Sequence, residues 1–282
     1  MKKTIWAHCL VKNEERYIWY AVMSVVDYVD KIILWDTGST DKTVGIIKEL
    51  QKIKGDKIEF REVGSVSIEE FTKVRQQMLE ETKSDWFMIL DGDEVWWEGS
   101  IKKMIETIQK EGDYLESIIS PHYNPIGDLY HYQEEAGGMY RIDNFQGHIN
   151  IRAVNRKIKG LHFEKPHGQQ GVYDGDGVLI QNRSKEKRKF LDAPYLHFTN
   201  MRRSFSAKED KNVPKRKIKF KYELGIPFPE SFKFPEVFYQ PHPDIVPSVW
   251  DKMSKKYFLR ASFETVLKKA KRKVLPSRSV GY

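Results

Sequence analysis

Cysteine is nearly missing from this chain: Cys9 stands alone among 282 residues. A lone thiol cannot close an intrachain disulfide, and such a composition suits a reducing compartment. Its place inside an apolar segment marks Cys9 as a packed core residue. Also missing is any run of about 18 uninterrupted apolar residues, the length a bilayer-spanning helix needs. The longest candidate, YIWYAVMSVVDYV, contains Asp27 and reads as a buried helix. The opening MKKTIWAHCLVKNEE meets charge too soon for a secretory signal, so a cytoplasmic location is expected. No G-x-G-x-x-G follows the first apolar segment, which argues against nicotinamide chemistry. Internal repeats and low-complexity tracts are absent.

What is present begins with charge. The formal net charge is +8, and the excess is uneven. KNVPKRKIKFK (211–221) holds six basic residues and no acid, and KKAKRK (268–273) adds five more. Basic stretches of this kind favour anionic surfaces such as membranes, nucleic acid or phosphorylated ligands.

Through residue 112 the chain alternates strand-like and helix-like periods. TIWAHCLV, KIILWD, KIEFREV and WFMIL read as buried strands. Helices are expected from Ile18 to Val29, over 42–54, 68–82 and 100–112, the last ended by Gly112. This alternation predicts an α/β fold with a doubly wound, mostly parallel sheet. Beyond 113, YLESIIS, GGMYRID, HINIRAV and GVLIQN are shorter runs between turns, which predicts a mixed or antiparallel second half. A catalytic domain over 1–205 is then followed by a basic, Pro- and aromatic-rich C-terminal extension, 206–282, with a helix expected over 249–273.

The chemistry concentrates in WFMILDGDEVWW, where an apolar strand runs into Asp91, Asp93 and Glu94. In an open parallel sheet, ligands sit beyond the carboxyl ends of the strands, so Asp36 and Asp91 face one crevice. Two aspartates around one glycine let both carboxylates reach a hard cation, and Mn²⁺ or Mg²⁺ would offset their repulsion. The plainer alternative is an acidic turn capping the next helix. Trp96 and Trp97 are either a stacking floor for a ring or core. Asp174 and Asp176, in a second D-G-D, read as a hairpin turn.

CLVKNEERYIWYAVMSVVDYVDKIILWDTGSTDKT, followed by FTKVRQQMLEETKSDWFMILDGDE, resembles glycosyltransferase family 2, whose members have the GT-A fold. The ordered set carries the resemblance: N-E-E after strand one, D-x-G-S-x-D-x-T after strand two, an arginine helix, then D-x-D. It covers residues 4 to 112 well and continues more loosely to about 200. It implies an inverting, metal-dependent transferase with a nucleotide-diphosphosugar donor, UDP first among the nucleotides. The acceptor would be a glycan, a lipid-linked molecule or a protein. Asp36 would hold the base, Asn13 and Glu14 would border base and ribose, and Arg75 would face the diphosphate. Asp91 would stand near ribose and metal, Asp93 would be the principal metal contact, and His197 would complete the metal site. Family members often carry G-x-x-F-x-G-P-x-H-E. GLHFEKPHGQQ (160–170) is a shortened version with Gly168 in the glutamate's place. Glu164 and His167, with His162 behind them, are therefore the candidates for the catalytic base.

Two other readings compete. A haloacid-dehalogenase-type phosphohydrolase would use Asp91 as nucleophile, but it leaves Asp36 and Arg75 idle, and no later Gly-Asp-x-x-x-Asp is found. A non-catalytic polyanion binder would explain the charge, although the basic stretches lie outside the α/β half and no nucleic-acid motif occurs. The terminal helix, with Trp250, Met253, Tyr257 and Ala261 on one face, is expected either to lie on anionic lipid or to dock on the catalytic domain.

Overall fold

Strand β1 (Ile5–Val11) is buried at every position except Trp6, as a strand inside a parallel sheet must be. The computed structural model describes residues 1–138, 140–166, 169–206, 208, 213 and 216–274. It sets β2 (Lys31–Asp36) and β4 (Trp86–Ile89) on either side of β1, with β3 (Ile58–Glu62) outside β2. All three pairings are parallel, so Val11, Asp36 and the chain after Ile89 emerge along one edge.

Side-chain alternation decides which helix covers which face. Ile5, Ala7, Cys9 and Val11 share a core with α1 (Ile18–Met23), α2 (Thr43–Lys54) and α4 (Glu98–Glu111). Leu10, Ile33 and Trp35 point the other way, onto Val74 and Met78 of α3 (Ile68–Glu81). The sheet is therefore doubly wound. Helix α3 starts on a capping box: Ser67 accepts the Glu70 N–H, and the Glu70 carboxylate accepts the Ser67 N–H. The Cys9 thiol is fully buried and burial raises its pKa, so it is an inert core group.

The second half continues the same sheet in mixed orientation. β7 (Ile149–Asn155) runs antiparallel to β4, and β6 (Ser117–Tyr123) runs antiparallel to β7. β8 (Arg188–Phe190) and β9 (Tyr195–His197) lie in succession along the outer edge of β6, both parallel to it. β5 (Glu94–Trp96) closes that edge, antiparallel to β9. This is the α/β, GT-A-type architecture expected, with a parallel half and a mixed half.

Four local expectations differ from the structure. The first helix stops at Met23, and Val25, Val26 and Val29 are buried from turns instead. GVLIQN forms no strand; Leu179 bridges Tyr173, and Ile180–Asn182 is a short 3-10 turn. β5 forms directly after the acidic turn, because Glu94, Val95 and Trp96 find an open partner in β9. The terminal helix α6 (Lys255–Val274) begins after Trp250 and Met253, and a single turn, α5 (Arg216–Lys219), precedes it. Phe234, Val237, Phe238, Val246 and Val249 belong to the main core, so much of the C-terminal extension packs on the α/β body. Asp174 closes the expected turn, accepting the N–H groups of Asp176 and Val178.

Candidate active site

Leaving β4, the chain turns through Asp91, Gly92 and Asp93 and re-enters the sheet at Glu94. Gly92 permits the close approach of the loop after β1. A Cβ there would stand 2.8 Å from Val11 Cγ1 and 3.0 Å from Glu14 Cγ. Three carboxylates thus gather at the carboxyl edge of the parallel strands, and arginines from three distant elements hold them. Arg75 of α3 lies 3.1 Å from Asp91 Oδ1, and Arg152 of β7 lies 3.6 Å from Asp91 Oδ2 while also contacting Glu94. Arg203, six residues past His197 in sequence, lies 3.0 Å from Asp93 Oδ2.

β9 pairs His197 with Glu94 across the sheet. His197 Nε2 lies 3.6 Å from Asp93 Oδ1 and 3.9 Å from Glu94 Oε1. One ligand atom from each of Asp91, Glu94 and His197 falls within 4.8 Å of the others. Two carboxylate oxygens and an imidazole nitrogen form a donor set that suits Mn²⁺ or Mg²⁺, and Glu94 Oε1, fully buried, is met by the Arg152 guanidinium. Asp93, expected as the principal metal contact, sits beside this trio and faces Arg203.

Burial and charge separate the three acids. Burial pushes Asp91 up, but Arg152 and Arg75 override it and hold the group below the usual carboxylate range. Asp93 behaves alike, with Arg203 and His197 overcoming burial. Glu94 is pushed well up by burial, because it shares Arg152 with Asp91 and is repelled by Asp91 and Asp93. Burial lowers His197 to about 4, so its imidazole is neutral and able to ligate a cation.

The nucleotide-side candidates sit in the adjoining loops. Asp36 is 1% exposed and accepts the N–H groups of Gly38 and Ser39, each at 2.9 Å, and the Ser39 hydroxyl contacts it as well. Its carboxylate therefore shapes the loop that leads into α2. Asn13 adopts φ 54° and accepts the Thr40 N–H at 2.7 Å, which stitches the loop after β1 to that after β2. Glu14 is buried between Arg203, at 3.1 Å, and Arg216. Burial raises its pKa to about 8 against the pull of both arginines.

Glu164 is placed differently. It ends a short strand (His162–Glu164) with its side chain 55% exposed, and His162 Nε2 is 3.7 Å away. Among the described residues no ion pair or hydrogen bond joins it to the acidic cluster. Its hairpin docks on α3, where Gln76 accepts the Phe163 N–H and Thr72 donates to the Lys165 carbonyl, flanking Arg75. His167 lies outside the described residues. Trp96 is core, stacked on Tyr195, while Trp97 donates to the Lys233 carbonyl.

Several residues at the site carried no signal that singled them out. Arg152 had one: it interrupts the apolar run of HINIRAV at a position now 3% exposed. Arg216 and Lys219 fell within the basic run 211–221 and Arg203 outside it, and Lys219 acts electrostatically on Asp91, Asp93 and His197. His122, whose ring lies 5.2 Å from that of His197, also lines a cavity of about 490 Å³ with Tyr123, Glu135, His148, Phe190 and Asp192.

Residues 10–168 match the model described as Glycosyl transferase family 2. The SPbeta prophage-derived glycosyltransferase SunS of Bacillus subtilis (strain 168) and glycosyltransferase SunS of Bacillus phage SPbeta are each 27% identical over 167 residues, covering 54% of this chain and 35% of theirs. The matched region is thus about a third of the length of those curated relatives. Among solved structures, glucosyl-3-phosphoglycerate synthase from Mycobacterium tuberculosis in complex with phosphoglyceric acid is 16% identical, covering 69% of this chain and 72% of its own, with a TM-score of 0.46. S. aureus TarS (1–349) is 12% identical, covering 70% and 60%, with a TM-score of 0.40. The family match takes in more than half the residues and both D-x-G-S and D-G-D segments, and this chain belongs to glycosyl transferase family 2.

Proposed function

We propose that this chain transfers a sugar, with inversion, from a nucleotide diphosphosugar to an acceptor hydroxyl. The observation that carries the reading is the delivery of Asp91 and Glu94 by a buried strand to a point beside His197 and Arg75, at the carboxyl edge of the parallel strands. Asp36, Asn13 and Glu14, on the loops after β2 and β1, flank the pocket for base and ribose. UDP is the nucleotide the family resemblance favours.

Asp91, Glu94 and His197 would hold Mn²⁺ or Mg²⁺, with Asp93 adjacent. The ion would supply positive charge against the diphosphate leaving group. Arg75 is the planar donor suited to phosphate oxygens, and Arg203 and Lys219 add charge from the far side. Glu164 is the base: its carboxylate takes the acceptor's hydroxyl proton as that oxygen attacks the anomeric carbon. The bond from that carbon to the diphosphate oxygen breaks, and its electron pair stays on the phosphate. A single in-line displacement inverts the anomeric centre. The cavity beside His122 is the acceptor's entry. It is lined by Glu135, Asp192 and aromatic rings, with no lysine or arginine in its wall among the described residues, which suits a neutral, hydroxyl-bearing acceptor.

The test is the melting temperature with UDP, GDP, TDP and CDP, each with and without Mn²⁺. The expected result is a shift for one diphosphate that requires the metal and vanishes in Asp91→Asn. No shift with any nucleotide, or one indifferent to Asp91→Asn, overturns the reading.

A further inference from the structure

Helix α6 has two faces of opposite fate. One row docks on the protein. Tyr257 and Ala261 are buried, and the Tyr257 hydroxyl donates to the Lys221 carbonyl at 2.8 Å. Thr265 Oγ1 accepts the Leu224 N–H at 2.7 Å, and Lys268 donates to the Tyr222 carbonyl at 2.6 Å. Arg272 grips Glu223 at 2.6 Å and Glu134 at 2.7 Å. Spaced by three and four residues, these five define the inner row. Tyr257 and Ala261, whose face was expected either on lipid or docked on the catalytic domain, belong to this docked row, so that surface is not the one open to a partner.

The opposite row is apolar and open to solvent. Leu259, Phe263, Val266, Leu267 and Val274 are 63%, 78%, 68%, 71% and 76% exposed, and Ala270 is exposed between them. Phe258 stands at the edge of this row, 50% exposed. Steps of four, three, one, three and four residues put them on one stripe of the helix. A water-soluble surface rarely spends so many large apolar side chains in one continuous line.

Charge identifies what covers the stripe. The helix carries eight basic residues and one acid, Glu264, which pairs with Arg260 and Lys268. Lys255 and Lys256 sit at its first turn and Lys271 along its flank, all exposed and without an ion pair among the described residues. An apolar strip bordered by cations complements a bilayer interface: acyl chains take the strip, and anionic headgroups take the ammonium groups. A protein partner would need its own apolar groove ringed with acids. Among the described residues no helix is long and apolar enough to cross a membrane, so a bilayer would meet α6 along its interface plane rather than around it.

We propose that α6 is an interfacial membrane-binding helix, inserting Leu259, Phe263, Val266, Leu267 and Val274 into the surface of a bilayer that contains anionic lipid. The site stands apart from the carboxylate cluster and does not depend on the sugar-transfer reading. Its inner row is tied through Arg272 to Glu134, whose neighbour Glu135 lines the acceptor cavity. That connection places a bound lipid surface next to the loop that shapes the cavity.

Sedimentation of the full chain with vesicles tests this, using phosphatidylcholine alone and a mixture of two parts phosphatidylcholine to one part phosphatidylglycerol. The protein is expected to pellet with the mixed vesicles and far less with the neutral ones. F263E/L267E should cut the bound fraction by about tenfold or more, since it places charge in the acyl boundary. Its melting temperature should match the parent, because both side chains are solvent-exposed in the free protein. K255Q/K256Q/K271Q should weaken binding to the mixed vesicles and leave residual binding to neutral ones unchanged. Failure to bind anionic vesicles overturns the proposal, as does equal binding by F263E/L267E. So does a self-association, seen by light scattering, that F263E/L267E abolishes, because a second copy would then be the cover.

Discussion

The parallel half and the mixed half both supply side chains to the carboxylate cluster, but they reach it by different means. In the parallel half, Asp36 and Asp91 sit at the cluster's edge because β2 and β4 run parallel and end there. Arg75 follows from the period of α3, whose Val74 and Met78 bury the same helix against β1 and β2. The mixed half contributes Arg152 from the middle of a strand and His197 from a three-residue strand held between β6 and β5, and the chain beyond it adds Arg203 and, beside Glu14, Arg216 of α5. Local rules place the anions. Long-range closure places most of the cations that neutralise them, and the two sets have no meaning apart.

The largest effect that would break this comparison concerns Glu164, a proposed participant that stands outside the cluster. Glu164→Gln is expected to lower sugar transfer by about 10² to 10⁴-fold. Nucleotide-induced melting shifts should stay unchanged, because the residue is exposed on its own hairpin. A variant with near-normal turnover would move the base elsewhere.

Next comes the cation from the mixed half. Arg203→Ala strands Asp93, which is 1% exposed, without its closest counter-charge. Removing one partner of a buried pair costs about 3 kcal/mol or more, read by urea unfolding. Mn²⁺ should restore part of the loss if a cation can take the arginine's place.

A buried group inside the parallel half gives a smaller, pH-dependent effect. His8 stacks on Phe87 and shares a hydrogen bond with Thr82, and burial followed by Arg75 and Arg156 lowers its pKa from 6.5 to about 3. The folded protein keeps the ring neutral while the unfolded chain protonates it. Its contribution is therefore complete above pH 6.5 and is lost as pH falls toward 3. Between the unperturbed pKa and about pH 5 that loss is about 2 kcal/mol, and His8→Leu should flatten the acid side of the stability profile accordingly. The smallest effect is purely local. Ser67→Ala removes the α3 cap and should cost about 1 kcal/mol, with no change in nucleotide binding. A larger binding defect would mean that the helix start also positions Arg75.

Much of this protein was legible before any coordinates. The parallel half announces itself through strands of four to seven residues between amphipathic helices, and the D-G-D turn through its abrupt change from Ile89 and Leu90 to acid. The mixed half was harder to read. GVLIQN has the composition of a strand and becomes a 3-10 turn, because only Leu179 finds a partner. β5 was hidden in E-V-W because three residues become a strand only when β9 lies beside them. Glu94 was visible as a carboxylate, yet its grouping with His197 depends on that same pairing. The terminal helix was legible as amphipathic, and of its two expected placements, on lipid or docked on the catalytic domain, the row with Tyr257 and Ala261 takes the docked one. Aromatic and small residues, Tyr257 and Ala261, fill the docked side, and larger aliphatics remain outside.

Sequence alone determined the alternation, the doubly wound half, the acidic turn and the family, because these arise from periodicity and short motifs whose physics acts over a few residues. Tertiary structure alone decided which arginine neutralises which carboxylate, that Glu94 comes to lie with Asp91 and His197, and which side of α6 faces water. Those outcomes depend on pairings between distant segments. Burial makes each pairing matter, since a charge or an apolar row takes its energy from what the fold sets against it.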